Sequence, residues 1–324
     1  ISLGTASTSN TAFVGIMANH GATPDPTDNI YHNTVHITGT AAAGAHPSFC
    51  FLRGDFTTAL RAQTVNIKNN IFTNSRTGGT GSHFAIGNNY GATTSSSTGW
   101  ATKVSNNNIL NANAATIGWW TTAKTFADWK GASAGDSASF SGYTVTYMDP
   151  ASDLHLNMGG IPNVMESKGQ TIGMVTTDID NDVRPGPAGS TNGGGLAPDI
   201  GADEFDGVIQ DLIPPTITYT LLPPACDALD RKLIATIADA GTLPTSGPLQ
   251  PRVYYRKNKD AWVSAQGVLT TGSSSNGTWT FTLLTADMGG LVTTDSVSYF
   301  VIAQDISGVV ASNPSAGVIA ADVN

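Results

Sequence analysis

The feature that most constrains this chain is a repeat. The segments DNIYHNTVHITG (28–39), TVNIKNNIFTNS (64–75) and KVSNNNILNANA (103–114) share an apolar residue, an Asn-rich turn and further apolar residues, and they place Asn33, Asn70 and Asn107 at intervals of 37 residues. A second series, AFVGIMAN (12–19), SFCFLRGD (48–55) and HFAIGNNY (83–90), is offset by about half that period. Two interleaved series at one period predict stacked coils with two main strands each, every coil burying its apolar side chains against its neighbours. The expected fold is all-β, a parallel β-helix of about 37 residues per coil. An Asn at one corner of each coil can take the left-handed backbone and can bond to its counterpart one coil away. A chain that opens within a repeat leaves an unpaired coil edge, so residues before position 1 are expected to continue the stack.

Past about residue 115 the repeat fades, and at GVIQDLIPPTITYTLLPP two Pro-Pro pairs mark a boundary, with a linker over 208–215. The strand-like runs that follow, KLIATIAD, RVYYRKN, GTWTFTLL, DSVSYFVIAQD and GVVASN, predict a β-sandwich of the immunoglobulin or fibronectin kind over 216–324. Asp305-Ile-Ser-Gly308 reads as a tight turn between the last two strands.

Only 12% of residues are charged and the net charge is −9, with 15 Lys and Arg, so the basic stripe that a nucleic acid needs is missing. No apolar run is long enough for a membrane-spanning helix. This profile suits an extracellular β-rich protein, and the distant Cys50 and Cys226 read as two free thiols.

TFADWKGASAGD, MDPASDLHL, DIDNDVRPGP and PDIGADEF, in that order, resemble the closing section of the parallel β-helix surface proteins of Bacteroidetes known as choice-of-anchor Q domain proteins. VYYRKN, GTWTF and VSYFVIAQDISGVVASNPSAG look like the Ig-like modules that follow such helices in secreted proteins, many of them type IX substrates. The resemblance implies a fragment of a larger cell-surface or fibre-forming protein, structural and adhesive, whose partners are neighbouring domains, copies of itself or surface glycans.

The acidic stretch DIDNDVRP admits two readings. Asp178, Asp180 and Asp182, helped by Asp199, Asp203 or Glu204, could coordinate calcium, the one cofactor the sequence suggests. An EF-hand loop is excluded, because Val183 stands where the loop needs glycine. The favoured reading is a clasp, in which Arg184 pairs with one of these carboxylates, with Asp203 or with Glu204 and pins the last coil to its cap. A polysaccharide lyase would need a base beside a charge-neutralising group, yet Arg53, Arg61, Lys68, Arg76 and Lys103 share no coil position, and His20, His32, His36, His46 and His83 are scattered. Glycan binding is the alternative, using Trp119, Trp120 or the Gly-rich insert AGSTNGGGLA. Core or cap packing is the favoured role of the tryptophans. Arg53-Gly54-Asp55 reads as a strand end rather than an integrin ligand.

Overall fold

Short β-branched and aromatic runs punctuated by Asn and Gly can satisfy their backbone only by pairing with another run, and here each pairs with its counterpart in the next repeat. The computed structural model describes residues 1–19, 27–56, 63–91, 97–158, 160–186 and 197–317. The chain is all-β and divides into two units, Ile1–Gln210 and Asp211–Asn324.

In the first unit three sheets run through the repeats with parallel pairing between repeats, one of them extended by the antiparallel strand Thr122–Thr125. One joins Ser2–Leu3, Thr34–Ile37, Ile71–Asn74 and Ile109–Ala112. Another joins Phe13–Ala18, Ser48–Arg53, His83–Asn88 and Thr116–Trp120, and a third joins Thr27–Tyr31, Thr64–Lys68 and Ser105–Asn106. Each full repeat therefore carries three main strands, not two. The Asn-rich motif holds a sharp corner, which breaks what the sequence presented as one strand. Val35, Ile37, Phe51, Phe72, Ile86 and Leu110 fill the interior between the sheets, and the parallel rings of Phe51 and Phe72 lie 6.2 Å apart.

The corner divides two tasks that the sequence reading gave to one residue. His32, Asn69 and Asn107 take positive φ, and the next residues, Asn33, Asn70 and Asn108, make the ladder. Asn33 Nδ2 donates to Asn70 Oδ1 at 3.0 Å, and Asn70 Nδ2 donates to Asn108 Oδ1 at 3.0 Å. The second step spans 38 residues rather than 37, so the rung is Asn108, not Asn107. Asn107 instead donates its amide to Lys168 O.

The ladder ends on different chemistry. Ser139 Oγ accepts the Asn108 N–H, Asp136 Oδ1 accepts from Ser139 Oγ and from Asn108 Nδ2, and Asp136 Oδ2 accepts the indole N–H of Trp129 at 2.8 Å. Trp129 sits on the helix Phe126–Ser133, whose N-cap Thr125 accepts the Asp128 N–H. Trp100, Trp120 and Trp129 meet edge to face and close this end of the core. A Cβ on Gly118 would lie 2.7 Å from the Trp129 ring, so glycine there admits the tryptophan.

The rest of the unit covers one flank of the stack. Ile71 and Ile109 form a separate core with Tyr147, Leu156, Met158, Val164, Met165 and Ile200. Val208–Ile209 pairs in parallel with Pro162–Asn163, so this part of the expected linker belongs to the first unit.

In the second unit two four-stranded antiparallel sheets share one core. Thr216–Tyr219, Arg231–Ala238, Asn276–Leu283 and Val268–Gly272 form one sheet; Val263–Gln266, Arg252–Lys257, Val297–Gln304 and Val310–Asn313 form the other. Strict alternation turns Leu233, Ala235 and Ile237 toward Trp279, Phe281, Val253 and Tyr255. Cys50 is buried in the first unit and Cys226 is exposed in the second; both are free.

Asn70 is fully buried and serves both neighbouring repeats. Asn70→Ala takes the acceptor from the Asn33 N–H and a donor from each of the Ile30 and Lys68 carbonyls, so urea denaturation should show a loss of about 3 kcal/mol. A loss under about 1 kcal/mol, the net worth of one ordinary hydrogen bond, would remove the ladder from the forces that hold the stack.

Candidate functional site

The acidic motif lies along the flank of the stack, not at its end. Gly201 N donates to Asn69 O, Ala202 N donates to Thr34 Oγ1 and Gln170 N donates to Asn69 Oδ1, so the segment straps successive repeats from the side. The expectation that it pins the last coil to a cap is corrected. Its physical cause is Ile71 and Ile109, which face outward from their sheet and need an apolar cover. Gly201 is required at the closest approach, since its φ is +117° and a Cβ would lie 2.7 Å from Ile71.

Arg184 is the centre of the strap. Its Nη1 donates to Glu204 Oε2 at 2.6 Å, with both side chains almost wholly buried, and its Nη2 donates to Gly201 O and Ala202 O at 3.1 and 2.9 Å. Glu204 also accepts the N–H groups of Gly186 and Asp199. Burial raises Glu204 above the usual carboxylate range, while the N–H donors and Arg184 pull it back. Asp203 does not pair with Arg184; it accepts the Leu156 N–H at 2.8 Å.

Asp199 is buried between the Ser167 and Phe205 N–H groups, and Glu166 is buried between Ser167 Oγ and the Gly207 N–H. Burial raises both, and for Asp199 the nearby Glu204 adds to the effect. Burial and the neighbouring Arg184 lower His32 to about 4, so its ring stays neutral beside the arginine.

The three alternating aspartates do not converge. Asp178 Oδ1 accepts the N–H groups of Asp180 and Asp182, both at 2.8 Å, and its Oδ2 accepts that of Glu204, so this carboxylate organises the turn. Asp180 Oδ2 bonds His155 Nε2 at 2.6 Å, and the other ring nitrogen bonds Asp153. The Asp182 side chain is exposed. Among the described residues, the oxygen and nitrogen ligands near this motif that approach within 4.8 Å of one another are those of His155, Asp180 and Asp203. The calcium set of Asp178, Asp180 and Asp182 is not brought together.

His155 is the group that the sequence reading passed over. Asp153 and His155 lie two apart on the strand Asp153–Leu156, hence on one face, and that spacing within MDPASDLHL is the signal that could have found them. Asp153 first, then Asp180, raises His155 to about 9. Charged at neutral pH, it donates from both nitrogens and is no general base. A cleft of about 260 Å³ opens beside it, lined by Ile1, Thr34, Leu154, Ile179 and Asp203.

The basic and aromatic candidates are also placed. Arg53 is fully buried and donates to Gln63 O and Asn88 Oδ1; Arg76 is buried over the Phe13 ring, its centroid 4.2 Å away. Neither faces a substrate groove, and Arg53 cannot present an integrin motif. His36 bonds Thr73, and His83 bonds Ser48, each in the adjacent repeat. Trp119 and Trp120 point to opposite faces of their strand. Trp120 packs on Trp100 and Trp129, whereas Trp119 packs outside the stack on Tyr90 at 4.8 Å and on Phe84 at 6.0 Å. They cannot form one platform. His20, Arg61 and all of the Gly-rich insert but Ala197 lie outside the described residues.

Removing one partner of the Arg184–Glu204 pair strands a buried charge. Arg184→Met should therefore cost about 3–5 kcal/mol, and the double variant Arg184→Met, Glu204→Met should recover much of it. Equal losses in the single and double variants, by denaturant titration, would show that the carbonyl contacts dominate.

His155 and the raised carboxylates of this flank share one sign of pH dependence, opposite to that of His32, whose neutral ring contributes as pH rises from about 4 to 6.5. His155 binds its proton more tightly when folded, so its contribution is complete below about 6.5 and is lost as pH rises through about 9. Burial raises Glu166, Asp199, Asp203 and Glu204, and stability from these groups likewise falls with rising pH. The melting temperature of the first unit should drop between about pH 6.5 and 9 and drop less in His155→Gln. An NMR midpoint for His155 at or below 6.5, the unperturbed value, would contradict this.

No family model, curated protein or solved structure matches this chain.

Proposed function

We propose that residues 1–210 are a parallel β-helix closed by the Trp129 cap and held by the Arg184 strap, and that residues 211–324 are an immunoglobulin-like β-sandwich. On this reading the chain is a non-enzymatic structural and adhesive part of a larger extracellular protein, in keeping with its resemblance to choice-of-anchor Q domain surface proteins. One observation carries the reading. The polar side chains of the repeats, which could have lined a groove, bond along the stack instead: Asn33 to Asn70 to Asn108, Asn29 to Asn66, His32 to Asn69, His36 to Thr73, Thr40 to Thr77 and Ser48 to His83. A stack tied this way resists extension and leaves its chemistry-bearing groups occupied.

A second reading, glycan binding, is supported by the aromatic row outside the Phe13–Ala18, Ser48–Arg53, His83–Asn88 and Thr116–Trp120 sheet. Phe56, Tyr90 and Trp119 lie in ring contact with buried Phe49 and Phe84, and Phe56 and Met17 are exposed at 39% and 43%. Flat, partly exposed rings are the usual seat for a sugar face.

Two assays separate the readings. The scaffold predicts no binding on a glycan array and no unsaturated product from uronate polymers. Reproducible glycan binding that is lost in Trp119→Ala, with the fold intact by circular dichroism, would replace adhesion through protein contacts by glycan recognition. Turnover of a uronate polymer would overturn both.

A further inference from the structure

Asp211, Asp239 and Asp305 meet at one pole of the second unit, where a ligand oxygen from each lies within 4.8 Å of the other two. Asp239 directly follows the strand Arg231–Ala238, Asp305 directly follows Val297–Gln304, and Asp211 precedes the first strand. The two loops are tied together, because Ile306 N donates to Thr242 O at 3.1 Å.

Each carboxylate holds a backbone N–H through its Oδ1. Asp239 Oδ1 accepts the Gly241 N–H at 2.6 Å, Asp305 Oδ1 accepts the Val309 N–H at 2.8 Å, and Asp211 Oδ1 accepts the Ile213 N–H at 2.9 Å. The second oxygens of Asp239 and Asp305 are a different matter. Both residues are more than nine-tenths buried, at 7% and 1% exposure, and in both Oδ2 has no hydrogen-bond partner among the described residues. Among the described residues, no Lys or Arg pairs with either carboxylate. Burial, then the nearby Asp305 and Asp211, raises Asp239 above its ordinary range.

A turn needs one carboxylate oxygen to hold its N–H; it does not need three carboxylates facing one another with two buried oxygens unmatched. Such a group is costly unless a cation joins it. We propose that Asp211, Asp239 and Asp305 bind one divalent cation, of the calcium class, in the second unit. The donors are all hard oxygens, which favours calcium, magnesium or manganese over zinc and copper, and among the described residues no nitrogen or sulfur ligand joins the group. Carboxylates drawn from three separate segments suit the flexible, high-coordination shell of calcium better than the rigid octahedron of magnesium. Asp211 is partly exposed, which leaves room for water to complete that shell. Gly241 is fitted to the site: a Cβ there would come within 2.3 Å of Asp211 Oδ2.

The test is calorimetric titration of calcium chloride into the metal-stripped chain of residues 1–324, with melting followed in parallel. Wild type should bind and its second unit should melt higher. Asp239→Asn and Asp305→Asn, which keep the Oδ1 acceptor, should weaken binding by at least about tenfold. Without calcium they should melt at or above wild type, since each removes like-charge repulsion. Should either fail to fold, Asp211→Asn, at the exposed edge, carries the same expectation. Asp180→Asn, in the other acidic cluster, should leave the binding intact. Absence of heat and of a melting shift up to about 10 mM calcium, beyond the weak extracellular range, overturns the proposal. So does binding that survives in the Asp239 and Asp305 variants or is lost in Asp180→Asn.

Discussion

The first unit depends on how it disposes of amides at a dry corner. A repeat that turns sharply and then stacks on its neighbour leaves backbone N–H and C=O groups of the turn facing protein, where each unpaired group costs about 1–3 kcal/mol. An asparagine there carries both a donor and an acceptor, so its side chain can serve its own turn and the next repeat at once. Asn70 does so: its Oδ1 takes the Asn33 backbone and side-chain N–H groups, while its Nδ2 reaches Lys68 O, Ile30 O and Asn108 Oδ1. The strand registers follow from this fixed column. Repeat length still varies around this column, as the 35-residue step from Ser48 to His83 shows beside the 37- and 38-residue steps of the ladder.

A ladder has to stop, and its two ends differ. At the late end Ser139 and Asp136 replace the next asparagine and hand the chain of hydrogen bonds to Trp129, which also plugs the apolar interior. One residue thus satisfies a polar column and closes a hydrophobic one. Glycine at 118 is needed to let the indole approach for that dual task.

Much of this was legible in the sequence because it is periodic. The parallel stacking, the structural use of asparagine and the position of the two-sheet unit all follow from patterns of 37 and of 2. What was not legible came from contacts without a period. The offset of one between Asn107 and Asn108 could not be chosen from letters alone, since NNN fits either. The strap was misplaced because sequence order puts DIDNDVRP after the last repeat, whereas Ile71 and Ile109, facing outward, pull it back over earlier repeats. His155 was missed because its partners lie both two residues and 25 residues away, and only the first is a local signal. Trp119 and Trp120 are adjacent in sequence, yet a strand turns neighbours to opposite faces.

Two buried acidic clusters show how differently such a cost can be met. In the first unit, both oxygens of Glu166, Asp199 and Glu204 receive donors, and Arg184 supplies a positive charge in the same dry volume. That cluster is complete in protein atoms, so its carboxylates act as fasteners for backbone N–H groups. In the second unit, Asp239 and Asp305 each fasten one N–H and leave the other oxygen buried and unmatched. In the sequence the aspartates of DIDNDVRP look like a metal loop and Asp305-Ile-Ser-Gly308 looks like an ordinary turn. Donor counting reverses the two, because alternate aspartates say nothing about whether their oxygens converge, and a turn motif says nothing about what faces its spare oxygen.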